Sequence, residues 1–145
     1  MDEALAEAER AAAAGEVPIG AVVVEEGELI GRGFNQPISA GDPTAHAEVL
    51  ALREAARARG NYRLTGASLF VTVEPCLMCV GAALQARVAR VVYGVAEPKF
   101  GALVSLLDVA SLRANHRLEV EGGVREDACR GLMQAFFRAR RASRE

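Results

Sequence analysis

A three-layer α/β/α sandwich, with a mixed central sheet of about five strands, is the fold the chain predicts, and three observations predict it. Helix-forming and strand-forming stretches alternate in the order α-β-β-α-β-α-β-(short α)-β-α, the pattern of a sheet with helices on both faces. "ASLFVTV" and "RVVYGV" are nearly continuous apolar runs, as strands buried on both faces are. The stretch between them, "CLMCVGAALQARV", is helical in character and long enough for a right-handed parallel crossover. At 145 residues the chain fits one domain spanning residues 1–145, with a real core.

"DEALAEAERAAAAG" is rich in alanine and other strong helix formers and stops at Gly15. "PIGAVVVEEGELIGRGFN" gives a β-branched run, a turn around Glu26 and Gly27, and a second apolar stretch, which together read as a hairpin. "QPISAGDPT" is a loop of turn-forming residues, the kind that delivers functional groups. From Ala45 to about Arg59, Val49, Leu52, Ala55 and Ala56 recur at helical spacing until Gly60 ends the helix. "GASLFVTVEP" is a buried strand that halts at Pro75. The helix after it is apolar almost all round and is expected to be sandwiched. Beyond "RVVYGV" come "AEPKFGA", which reads as a mobile loop, a short apolar turn "LVSLLDVA", a strand in "RLEVEG" and a last helix from about Arg125 to Arg141.

Composition narrows the function classes. Hydrophobic residues make up 51% and charged residues 25%, ordinary for a soluble globular protein, and no apolar run approaches the roughly 20 residues of a membrane span. "MDEALAEAER" is too acidic for a signal peptide. Three cysteines, two in a Cys-x-x-Cys pair, are the wrong count for a disulfide framework and suit a reducing compartment, so the cytoplasm is the expected location. A net charge of −2 does not announce a nucleic-acid binder, although Arg130, Arg138, Arg140, Arg141 and Arg144 make the C-terminal end locally basic.

His46, Cys76 and Cys79 are good zinc ligands, each at the start of a predicted helix. Cys76 and Cys79 share one side of a first helical turn, where the positive helix end favours thiolates. Three protein ligands leave a tetrahedral fourth position open, and an open position signals catalysis more than structure. Glu48 lies about 200° round a helix from His46, poorly placed to bind the same metal but able to lean over the helix end as a proton carrier for a metal-acidified water. A thioredoxin-like redox pair would leave His46-x-Glu48 unexplained, and a structural zinc needs a fourth ligand. Cys129 is the only other cysteine, and it reads as a core thiol on the last helix; His116 reads as a loop or strand-entry residue.

His46-Ala47-Glu48 followed by Pro75-Cys76-Leu77-Met78-Cys79 resembles the signature of the zinc-dependent nucleoside and nucleobase deaminases. The flanking segments "EVPIGAVVV", "GFNQPI", "DPTAHAEVLALR", "LFVTVEPCLMC", "GALVSLLDV" and "FFRARR" resemble its tRNA-specific adenosine deaminase branch. The resemblance implies a cytidine-deaminase-like sandwich, one Zn²⁺ per subunit on His46, Cys76 and Cys79, and Glu48 as the catalytic proton carrier. It further implies hydrolytic deamination of the wobble adenosine of a tRNA anticodon stem-loop, typically of an arginine tRNA, by a homodimer. By the same resemblance Asn35 hydrogen-bonds the inserted base, the backbone at Ala47 meets its edge, and Val17 and Pro18 shape the walls. Glu97 would accept from a ribose hydroxyl, Lys99 would reach a phosphate, and Arg138, Arg140 and Arg141 would hold anticodon-stem phosphates. Asn61 and Tyr62 are expected to support the dimer or the core. Glu97 stands where some relatives have aspartate, and Phe100 where they have a smaller residue. A free-base or nucleoside deaminase of guanine or cytosine type would use the same zinc and glutamate, and a noncatalytic zinc-containing RNA-binding protein is the alternative from another class.

Overall fold

The β-branched run that begins at Gly20 forms the strand around which the sheet assembles. In the computed structural model, which describes residues 1–144, β1 (Gly20–Glu25) pairs antiparallel with β2 (Glu28–Phe34) on one side and with β3 (Ser68–Val73) on the other. β4 (Arg90–Val95) continues the sheet parallel to β3, and β5 (Glu119–Glu121) closes it parallel to β4. The result is the mixed five-stranded sheet, in order β2-β1-β3-β4-β5, that the sequence predicts.

Among the described residues, the single turn α2 (Pro37–Ala40) and α3 (Ala47–Arg59) connect β2 to β3, α4 (Leu77–Ala86) connects β3 to β4, and a 3₁₀ turn at Val109–Ser111 lies between β4 and β5, while α1 (Asp2–Ala13) precedes the first strand and α5 (Glu126–Ala142) follows the last. Two rows of small residues let helices approach the sheet. Ala21 pairs with both Gly33 and Val71, and a Cβ on Gly33 would lie 2.5 Å from the Ala47 carbonyl oxygen of α3. On the opposite face a Cβ on Gly20 would strike the backbone of α1, and one on Gly94 would strike the Cys129 sulfur of α5. α3 meets the sheet through Ala47, Ala51 and Ala55, which lack any exposed surface, so helix and sheet touch nearly backbone to backbone.

Three expectations change. "QPISAGDPT" contains the helical turn α2, because the buried Glu16 carboxylate accepts from the Ile38 and Ser39 N–H groups at 3.2 and 2.6 Å. α4 is not sandwiched: Val80 and Ala83 are buried, but Leu77 and Met78 are exposed. "AEPKFGA" is tied down rather than loose, with Gly101 bridged to Cys76 and the Ala102 N–H donating to the Pro75 carbonyl at 2.9 Å.

All the strand ends that matter lie together. β3 and β4 finish at the edge of the sheet where β2 ends and β1 begins, the position at which open α/β sheets place their ligands. A Gly33→Ala variant is expected to lose about 1–3 kcal/mol of stability through overpacking against α3, measured by thermal and urea melts, and to bind metal more weakly because α3 carries His46. Gly131→Ala, which adds a methyl in open space inside α5, is the control: it should leave metal binding unchanged and, through helix propensity, raise stability by about 0.5–1 kcal/mol rather than lower it.

Candidate active site

His46 and Cys76 are the N-cap residues of α3 and α4, each in extended backbone geometry, and neither side chain caps its own helix. N-cap positions ordinarily carry Ser, Thr, Asp or Asn for that purpose. Here both carry soft metal donors instead, and the two helix tips bring them together. Cys76 Sγ lies 3.8 Å from Cys79 Sγ, and His46 Nδ1 lies 3.6 Å from Cys76 Sγ and 3.5 Å from Cys79 Sγ. A tetrahedral ion at zinc–sulfur and zinc–nitrogen distances would set those edges at roughly 3.8 and 3.6 Å. The donor set therefore fits zinc by both chemistry and spacing. Among the described residues no other His, Cys, Asp or Glu joins the group. Cys129 is buried against Gly94, and His116 Nε2 lies 2.7 Å from the Val88 carbonyl oxygen, so both take the structural places expected of them.

The electrostatics point the same way. The hydrogen bond with Cys79 outweighs burial and, with His46, pushes the Cys76 thiol down to about 4. That same bond, together with burial and the Glu48 charge, pushes the Cys79 thiol up. The bond to Cys76 raises His46. Burial raises Glu48, which is only 4% exposed. Two sulfurs and a carboxylate are thus packed into little solvent with one imidazole to offset them, which favours a divalent cation.

Glu48 does not point away from this cluster. With His46 and Cys76 it lines a pocket of about 530 Å³ at the strand ends, and Asn35, itself buried, faces the same space with its N–H donating to the Ile19 carbonyl at 3.0 Å. Val17 and Glu97 also line it.

Residues 1–141 match the MafB19-like deaminase family. The tRNA-specific adenosine deaminase of Bacillus subtilis (strain 168) is 46% identical over 100% of this chain and 91% of its own length. The chain belongs to the tRNA-specific adenosine deaminase family. A solved tRNA:A34 deaminase, studied for A-to-I editing at the wobble position of transfer RNA, superposes with a TM-score of 0.88 at 42% identity, covering 91% of this chain and 96% of that one. A guanine deaminase from Nitrosomonas europaea shares the fold less closely, with a TM-score of 0.82 at 26% identity over 93% of this chain and 81% of that one.

Set beside that family's expected site, the remaining residues divide. Ala47 is fully buried at the first turn of α3, and Pro18 is buried outside the pocket lining. Lys99 is exposed on the loop, its N–H donating to Glu97 Oε1 at 3.0 Å, and also stands outside the lining. Arg138 and Arg141 line an adjoining cleft of about 600 Å³ that shares Val73, Glu97, Met133 and Phe137 with the pocket. Arg140 is turned over the Phe136 ring, 5.4 Å from its centre. Tyr62 is 62% exposed in a groove between α3 and α4, so it is not a core residue. Ile19, Val73, Glu74, Met133 and Phe137 stand in the wall unannounced by the sequence, and Phe100, expected there only as a departure from relatives, joins them. The "EPC" step was the available signal for Glu74; Met133 and Phe137 come from a distant helix and left none.

Removing a donor should separate metal from fold. Cys76→Ala and His46→Ala are expected to lower zinc affinity by more than the roughly 10–100-fold seen when a group that merely orients a ligand is lost, whereas Glu48→Gln should keep about one zinc per chain; elemental analysis of the purified variants decides.

Proposed function

We propose that this chain, as a single deaminase domain, converts the wobble adenosine of a tRNA anticodon loop to inosine by hydrolysis, releasing ammonia, and that an arginine tRNA is its substrate. One observation carries the reading: three donors stand at the edge spacings of a tetrahedral zinc, and two of them, His46 and Cys76, line a pocket with a buried carboxylate, Glu48, that is not one of the three. Zinc held by His46, Cys76 and Cys79 supplies, when bound, a water acidified to a pKa of about 7.

The chain's own residues do the rest. Glu48 takes a proton from the attacking water and delivers it to adenine N1, and as C6 gains oxygen it carries the second proton to the departing amine. Burial suits it to this traffic, because a carboxylate in little solvent holds a proton more readily than one in water. Asn35 hydrogen-bonds the inserted base, the Ala47 backbone borders its edge, Val17 forms a wall and Pro18 backs it. The target nucleotide must leave the stacked loop to enter the pocket, which Phe100 and Phe137 flank as exposed aromatic rings. Glu97 meets the ribose, and Lys99, Arg138 and Arg141 supply cations to the phosphates beyond the pocket mouth. Arg140, stacked on Phe136, is the weakest of the predicted backbone contacts.

A homodimer is part of the proposal. Tyr62 at 62% and Leu77 at 56% exposure, with Met78 beside it, leave large apolar groups uncovered on and next to α3 and α4. Among the described residues no helix is long and apolar enough to cross a membrane, and we place the enzyme with its tRNA substrate in the cytoplasm.

Deamination of an anticodon stem-loop should far exceed that of free adenosine, guanine or cytosine and should weaken steeply between 50 and 200 mM salt, by about tenfold or more if a few phosphate contacts form. Equal activity on free guanine would favour the nucleobase-deaminase alternative. Glu48→Ala should abolish inosine formation while retaining zinc; turnover by that variant would remove Glu48 from the mechanism. Asn35→Ala is expected to lower kcat/KM by about 10–100-fold without changing the melting temperature, the effect of one lost hydrogen bond in a desolvated site.

A further inference from the structure

β3 ends on a buried carboxylate that the chemistry above does not use. Glu74 is 3% exposed, and the 97–105 loop wraps around it. Oε1 accepts from the Glu97 N–H at 3.1 Å and from the Ser105 hydroxyl; Oε2 accepts from the N–H groups of Leu103, Val104 and Ser105 at 3.2, 2.8 and 3.0 Å. The loop closes so tightly that a Cβ on Gly101 would fall 2.4 Å from the Glu74 carboxyl carbon. Converging backbone N–H groups of this kind form an anion nest, and here the anion is the protein's own side chain. Two residues further on, the same strand end delivers Cys76, while the far side of the loop presents Glu97 and the exposed ring of Phe100 to the pocket.

We infer that Glu74 is a positioning residue for substrate: its carboxylate sets the 97–105 loop as the nucleotide-facing wall of the pocket and so presets Glu97 and Phe100 before RNA arrives. The inference rests on the deaminase reading above. The Glu74 carboxylate accepts its hydrogen bonds from the loop residues Glu97, Leu103, Val104 and Ser105, so its effect should fall on substrate capture rather than on the chemical step.

Glu74→Gln tests it with side-chain volume kept. An amide nitrogen in place of Oε1 confronts the Glu97 N–H; in place of Oε2 it confronts three N–H groups. Either way at least one buried donor loses its acceptor. The expected result has three parts: faster amide hydrogen exchange confined to residues 97–105, zinc content equal to wild type, and KM for an anticodon stem-loop raised about tenfold with kcat little changed. Wild-type exchange together with a wild-type KM overturns the inference. So does a variant that loses zinc or loses kcat alone, because Glu74 would then act through the metal tip. Should Glu74→Gln fail to fold, Ser105→Ala removes only the hydroxyl donor and is expected to shift exchange and KM in the same direction by a smaller factor; no shift in either overturns the inference as well. If wild-type protein leaves the stem-loop unmodified, it is the deaminase reading that fails, and loop exchange still reports whether Glu74 sets the loop.

Discussion

The meeting of two helix tips governs this molecule. α3 and α4 start at the same end of the sheet, and their N-cap positions carry His46 and Cys76 instead of side chains that would cap them. A helix start without a side-chain cap is weaker by about 1 kcal/mol, and the chain accepts that twice in one place. Donor spacings of 3.5 to 3.8 Å show what is gained: a tripod of the size a tetrahedral zinc requires. Local stability is surrendered where function needs the atoms.

Much of the fold serves to hold those tips still. The parallel crossover from β3 to β4 fixes α4, since strand ends and helix start are joined by only Glu74, Pro75 and Cys76. Contact between α3 and the sheet through alanines and Gly33 fixes the other tip with little side chain in between to give way. The rest of the wall is gathered from far along the chain: Val17 and Ile19 precede β1, Asn35 follows β2, Glu97 and Phe100 follow β4, and Met133 and Phe137 stand on α5. Convergence at one sheet end lets a small domain surround a nucleotide-sized space.

What the sequence made legible follows from how local each signal is. Hairpin, crossover strands and the donors show themselves in short windows through β-branched runs, apolar continuity and cysteine spacing, so the sheet and the His46–Cys76–Cys79 group were readable. The turn at Pro37–Ala40 was not, because the carboxylate that organises it belongs to Glu16, a distant residue that looks like an ordinary surface acid in "GEVP". Nor was the anchoring of the 97–105 loop, since an acid at a strand end carries no mark of the N–H groups that will close on it. The open side of α4 was misread for a different reason: apolar composition marks a surface that avoids water without saying whether the covering is this chain or another.

X-ray absorption at the zinc edge of the loaded wild-type protein tests the central claim most directly. The account predicts two sulfur scatterers at about 2.3 Å, one imidazole nitrogen at about 2.0 Å and a single further light oxygen atom. A third sulfur, a second imidazole or a protein that takes up no zinc would contradict it.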